Sequence, residues 1–176
     1  FVTVVDKLNE RENITLTGWG EPFLHPRIFD MIAYCKNNGH KVMTTSNGLF
    51  LKETILDEIL NTDLDELTFS IDGVEDNNVF DGHTSDKVYD NIKKLAKLRK
   101  NGKPMIRLQS TLHKGCEKDL YDVIRFGARI GIEAINVGRI DRKYAPNLKR
   151  PGPLEEEQIF HEADRIANEC GIRLDW

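Results

Sequence analysis

The sequence predicts an α/β protein built on a parallel sheet, and two observations carry that reading. Short apolar runs alternate with longer stretches of helical period along the whole chain. The runs near residues 14, 41, 66, 105 and 133 follow one another at intervals of about 25–40 residues, the length of a βα unit. Parallel strands need a crossover between them, and a right-handed helical one is the rule. The arrangement is either an open doubly wound sheet or part of a curved (β/α) barrel, and both bind ligands at the C-terminal ends of their strands.

Each element has its own signal. Phe1, Val4, Val5 and Leu8 stand at helical spacing and predict the end of a helix over 1–9. Residues 13–17 predict a strand. Pro26 suits the first turn of a helix running to Asn38, and Gly39 stops it. Residues 40–45 form the next strand, and 52–61 a helix with Ile55, Leu56, Ile59 and Leu60 on one face. A strand over 66–71 follows, then a helix over 85–101 with Val88, Ile92, Leu95 and Leu98, ended by Asn101-Gly102. Residues 104–111 predict a strand, 117–130 a helix and 133–138 a strand. A Pro/Gly loop over 141–153 leads to a helix over 154–170, and Ile172-Arg173-Leu174 begins a final strand.

Composition excludes several classes. The chain has 176 residues, 25 Lys+Arg against 29 Asp+Glu, and a net charge of −4, so no overall positive field holds a nucleic acid. No apolar run approaches the roughly 20 residues of a membrane helix, and no signal sequence opens the chain. Cys35, Cys116 and Cys170 are odd in number and far apart, which argues against a disulfide framework or a local metal motif and for a reducing, cytoplasmic setting. Cys116 reads as a plain thiol. His25, His40, His83, His113 and His161 have no ligand spacing. The start at Phe1, without Met, reads as a piece cut from a longer protein.

The strand ends hold the candidate chemistry. After the first strand, Thr17-Gly18-Trp19-Gly20-Glu21-Pro22 offers bare backbone and one carboxylate, which suits a cationic amine better than a phosphate; the alternative is a Gly-rich turn with a surface acid. Thr45-Ser46-Asn47-Gly48 after the second strand suits a polar ligand or simply an Asn-Gly turn. Ser70 and Asp72 are two apart and share a face, so Asp72 suits a ribose diol, or closes a turn with Gly73. Arg107 and Gln109 alternate with apolar residues, as in a polar-lined barrel interior or an edge strand with a solvated face. Arg139 suits a carboxylate or is a surface charge; with Arg142 and Lys143 it makes either an anion site or a solvated loop.

These three motifs, in this order and spacing, resemble those of the radical S-adenosylmethionine (SAM) enzymes. The run from Ile14 to Pro26 is similar to that family's glycine–glutamate–proline motif. Thr45–Gly48 and Phe69–Gly73 resemble the motifs closing the next two strands. The resemblance spans nearly the whole chain and implies a single domain over 1–176, a partial (β/α) barrel with about five βα units of a six-unit barrel. It implies that the backbone around Gly18 and Gly20, with Glu21, holds the amino group of SAM, that Pro22 belongs to the same cofactor site, that Ser46 or Asn47 and Ser70 with Asp72 approach its ribose and methionine parts, and that Gln109 faces the interior. Arg107 and Arg139 are implied substrate contacts.

The family's [4Fe–4S] cluster is held by Cys-x-x-x-Cys-x-x-Cys, which has no counterpart in this sequence. Where relatives often carry Arg-Gly after the fourth barrel strand, this chain has Asp81-Gly82. The implied reading is the central part of an iron–sulfur oxidoreductase or maturase, truncated at the N-terminus and at the C-terminus. The intact protein would cleave SAM reductively to a 5′-deoxyadenosyl radical that abstracts hydrogen from a small-molecule or peptide substrate; these residues alone would be inactive. Two rivals stand beside it: a non-radical nucleotide- or peptide-binding module, and a metal-independent lyase, for which the strands offer only Lys41 as a Schiff-base candidate. A missing first strand would leave the one at Asn13 as an open edge prone to self-association.

Overall fold

The structure is a computed structural model that describes residues 1–8, 10–72, 85–141, 143 and 145–176. Gly73, Asp81, Gly82, His83 and Arg142 therefore lie outside the described residues. Six strands form one all-parallel sheet in strictly sequential order: β1 (Asn13–Thr15), β2 (Lys41–Ser46), β3 (Glu66–Ser70), β4 (Met105–Leu112), β5 (Ala134–Arg139) and β6 (Arg173–Asp175). The helices are α1 (Val2–Val5), α2 (Ile28–Asn37), α3 (Glu53–Asn61), α4 (Ser85–Leu98), α5 (Glu117–Arg129) and α6 (Pro153–Cys170). This is the α/β class with the curved, partial-barrel order, because a doubly wound sheet would reverse its strand order at a switch point.

Sequential order decides where the core sits. Right-handed crossovers that always advance to the next strand deliver every helix to the same face of the sheet. On that face Val42, Leu67, Phe69, Ile106, Leu108, Ile135 and Val137 are buried against Ile32, Leu56, Ile92, Val123, Ile124 and Ala163. The register aligns Phe69 with Leu108 and Leu108 with Ile135, so the apolar stripe runs straight across three strands. Gly127 on α5 lets the helix approach: a Cβ there would lie 3.1 Å from both Leu108 and Ile172.

The element boundaries shift by one residue at several ends and by more in four places, the first being β1, which stops at Thr15 rather than at residue 17. The helix expected from Pro26 begins at Ile28, because Pro22–Leu24 forms a separate 3₁₀ turn. The first helix spans only Val2–Val5 and the fourth stops at Leu98. Gly39, with φ +82°, ends α2 as its position predicts.

The N-terminal ends of the strands are tied by charge. Lys36 on α2 donates to Asp65 at 2.5 Å, and the same carboxylate accepts the Val42 N–H at 2.8 Å. Burial pushes the Asp65 carboxyl up, but these hydrogen bonds and the Lys36 and Lys103 charges outweigh it and hold it below the usual carboxylate range. Stability from a depressed carboxyl is present above its unfolded pKa and is lost as pH falls through the folded one. Asp65→Asn is expected to cost about 1–3 kcal/mol at neutral pH and to flatten the acid limb of a urea-midpoint profile between about pH 5 and 3. An unchanged midpoint at pH 7 would contradict this role.

Candidate functional site

Opposite the helices, the sheet presents polar side chains. Residues in register share a face, so Thr45, Thr68 and Arg107 form one row across β2–β4. Ser70, Gln109, Asn136 and Asp175 form a second row across β3–β6. Nearer the N-terminal ends, Arg107 is committed. Its Nε lies 3.0 Å from Glu66 Oε2 and its Nη1 2.8 Å from Asp175 Oδ2, and Arg173 also reaches Asp175 at 3.1 Å. The Arg107 and Glu66 side chains are 15% and 17% exposed, so this charge-balanced group closes the floor of the interior. The Arg107 guanidinium, expected to meet substrate, is already paired with two carboxylates.

The C-terminal ends form the mouth. There the backbone ladder stops and side-chain oxygens take over its donors. Thr17 Oγ1 accepts the Thr45 N–H at 3.1 Å, and Asp72 Oδ1 accepts the Thr111 N–H at 2.7 Å. Glu21 does most. Its Oε1 accepts from the Ser46 hydroxyl at 2.8 Å and from the Phe23 N–H at 3.3 Å, and its Oε2 accepts the Asn47 N–H at 2.8 Å. A carboxylate has about four lone-pair sites, so this staple leaves one for a ligand cation. Glu21 is chiefly a positioning residue that binds the loop after β1 to the loop after β2.

The loop it holds is tightly specified. Ser46 Oγ accepts the Gly48 N–H at 3.0 Å, Asn47 Oδ1 accepts the Leu49 N–H at 3.0 Å, and Asn91 on α4 donates to the Gly48 carbonyl at 2.9 Å. Gly48 has φ +75°, and a Cβ there would stand 2.9 Å from Val88 Cγ1 and 3.4 Å from Phe69 Cδ1. Both conformation and space require glycine.

The sequence-derived candidates divide accordingly. Gly18 and Gly20 lie in an exposed loop where no atom would meet an added Cβ, so their backbone faces open space. Asn47, Ser70, Asp72 and Gln109 come together along the mouth of β2–β4. Ser46 is 2% exposed and lies on the helix side, beneath the mouth. Pro22 is buried and opens the 3₁₀ turn. Arg139 shares parity with Ile135 and Val137, pairs with Glu156 on α6 at 2.6 Å, and lies over the Phe160 ring. Thr17, Thr111 and Asn91 were missed. Thr17 and Thr111 follow the strand alternation, but nothing in the sequence marks Asn91.

The donor set suits a ligand with an ammonium group and a diol: carboxylates of Glu21 and Asp72, the Gln109 amide, the Ser70 hydroxyl and bare backbone at Gly18–Gly20. It does not suit an iron–sulfur cluster. Among the described residues no group of three His, Cys, Asp or Glu is placed to hold a metal. Cys35 and Cys116 are core residues whose thiols burial pushes up, that of Cys116 to about 11, the opposite of a thiolate ligand.

Removing Glu21's acceptors should loosen the whole mouth. Glu21→Gln leaves the buried Ser46 hydroxyl and the half-buried Asn47 N–H with one oxygen in place of two and is expected to cost about 1–2 kcal/mol in urea unfolding. Gly48→Ala is expected to cost about 1–3 kcal/mol. Wild-type midpoints in both would contradict the staple.

Comparisons agree with this geometry. The radical SAM superfamily profile matches residues 1–115. The tungsten-containing aldehyde ferredoxin oxidoreductase cofactor-modifying protein of Pyrococcus furiosus is 31% identical over 180 residues, covering 96% of this chain; the chain spans about half, 51%, of that relative's length. A domain of pyruvate-formate lyase-activating enzyme from Bacteroides vulgatus superposes with a TM-score of 0.73 at 19% identity, over 92% of this chain and 96% of that one. Streptococcus suis SuiB bound to S-adenosylmethionine superposes with a TM-score of 0.76 at 15% identity, over 93% of this chain and 38% of that one. Those two share the fold. A parallel sheet of sequential order, a glycine–glutamate–proline turn stapled to the next strand's loop, and a profile match over more than half the residues lead to one conclusion: this chain belongs to the radical SAM superfamily.

Proposed function

We propose that this chain is the cofactor-holding part of a radical SAM enzyme and that SAM binds across the C-terminal ends of β1–β4. The observation that carries the reading is the Glu21 staple, which sets the open Gly18–Gly20 backbone and the Asn47 loop side by side at the mouth. Gly18, Gly20 and the remaining acceptor site of Glu21 hold the ammonium group. Asn47, Ser70, Asp72 and Gln109 hold the ribose and the methionine part. SAM supplies, when bound and reductively cleaved, the 5′-deoxyadenosyl group that abstracts hydrogen from a substrate. The electron source is a [4Fe–4S] cluster whose ligands the 176 residues do not supply, so these residues alone are inactive. The partner is a small-molecule or peptide substrate, and the setting is cytoplasmic. Among the described residues no helix is long and apolar enough to cross a membrane. The P. furiosus relative, named as a cofactor-modifying protein, and SuiB, also solved bound to precursor peptide SuiA, support both substrate classes equally.

Calorimetric titration with SAM tests the site. Saturable binding is expected, weakened about tenfold in Asp72→Ala, which removes a charged acceptor. Gln109→Ala serves beside it, because Gln109 is exposed and its removal spares the fold. Wild-type affinity in both variants would overturn the assignment. For the radical step, the full-length protein with its cluster reconstituted should release 5′-deoxyadenosine from SAM under anaerobic reduction, and the 176-residue chain should not. No release from the cluster-loaded protein would favour the non-radical binding module.

Self-association belongs to the same proposal. β1 is an edge of the sheet, which supports strand pairing with a second chain. Sedimentation is expected to show a concentration-dependent dimer, and a monomer at all concentrations would refute it.

A further inference from the structure

We propose that the C-terminal rim over β4 and β5 is a docking surface for an acidic peptide segment, with Lys149 and Arg150 as its main contacts and Lys114 as a third. This goes beyond the SAM reading, since none of these residues is among the donors assigned to the cofactor. In a chain of net charge −4, residues 139–150 carry five cations and a single acid. That concentration falls in the loop after β5, at the end of the sheet where the mouth lies.

The rim is built rather than loose. The Ile140 N–H bonds the Leu112 carbonyl at 3.0 Å, extending the β4–β5 ladder upward. The Lys114 N–H donates to the Lys149 carbonyl at 2.8 Å, which joins the loop after β4 to the loop after β5. Arg150 Nε donates to the Ile140 carbonyl at 2.9 Å, and Pro151 beyond it is buried. A guanidinium anchored through Nε turns its terminal nitrogens outward, the fork that takes a carboxylate in two parallel hydrogen bonds. Ordering these side chains in advance lowers the entropic cost of binding.

Charge pairing separates the rim's cations. Arg139 is paired with Glu156, and Lys114 reaches Glu155 at 3.4 Å in an exposed, exchangeable contact. Among the described residues neither Lys149 nor Arg150 has a carboxylate partner, and both are exposed. Glu155 and Glu156 stand in the first turn of α6 beside these cations. A compact anion such as phosphate wants converging donors and no acid nearby. An extended chain with spaced carboxylates can meet the cations in turn and pass by the acids.

Fluorescence anisotropy with a labelled hexaglutamate peptide and the 176-residue chain tests this. Binding is expected at about 50 mM salt and several-fold weaker at about 300 mM. Lys149→Glu should weaken it about fivefold. Lys97→Glu, the same charge change at an exposed site in the last turn of α4, should change it less than about twofold. Unaltered SAM titration in Lys149→Glu would keep the two sites separate. No peptide binding at low salt, equal losses in the two variants, or displacement by inorganic pyrophosphate at concentrations matching the peptide would each overturn the proposal, the last by making the rim a small-anion site.

Discussion

Sequential strand order is the constraint on which the rest of this molecule depends. Because β1 to β6 follow one another without a switch point, every crossover helix lands on one face, and the hydrophobic core is confined there. The opposite face is left mostly to side chains that need no apolar partner, namely Thr, Ser, Gln, Asn and paired charges, with Met43 and Met105 in register beside Glu66. A polar interior is therefore a consequence of topology. The Glu66–Arg107–Asp175–Arg173 group fits the same logic: two cations and two carboxylates are held in mutual balance across β3, β4 and β6.

A splaying parallel sheet also has a problem at its C-terminal ends. Once neighbouring strands diverge, N–H groups that the ladder satisfied lose their acceptors, and leaving them buried is costly. Thr17, Glu21 and Asp72 solve this with side-chain oxygens. The same groups are the ones placed to meet a ligand, so structure and recognition share atoms. A ligand that draws on Asp72 or Glu21 therefore couples to the geometry of the strand ends themselves.

The fold was legible because its signals are local. Periodicity marks each helix and strand, and the alternation of β4 puts Arg107 and Gln109 on one face. The same parity rule, applied to β5 and β2, puts Arg139 with Val137 and Ser46 with Thr44 on the helix side, so the placement of both lay within reach of the sequence. Partner identities did not. Asp175 lies 68 residues from Arg107, and Glu21 lies 25 and 26 residues from Ser46 and Asn47. No local pattern encodes such pairings. Glu21 was read as a ligand contact because a carboxylate near glycines suits an amine, and its role in holding the next loop appears only when the strands are set side by side.

The central claim is that SAM occupies the interior mouth of β1–β4. Amide chemical-shift mapping of the isotopically labelled chain during a SAM titration tests it most directly. The account predicts saturable shifts concentrated at residues 17–21, at Asn47 and Gly48, at 70–72 and at 109–111, with α6 unaffected. Shifts confined to the helix side, or no saturable shifts at all, would contradict it.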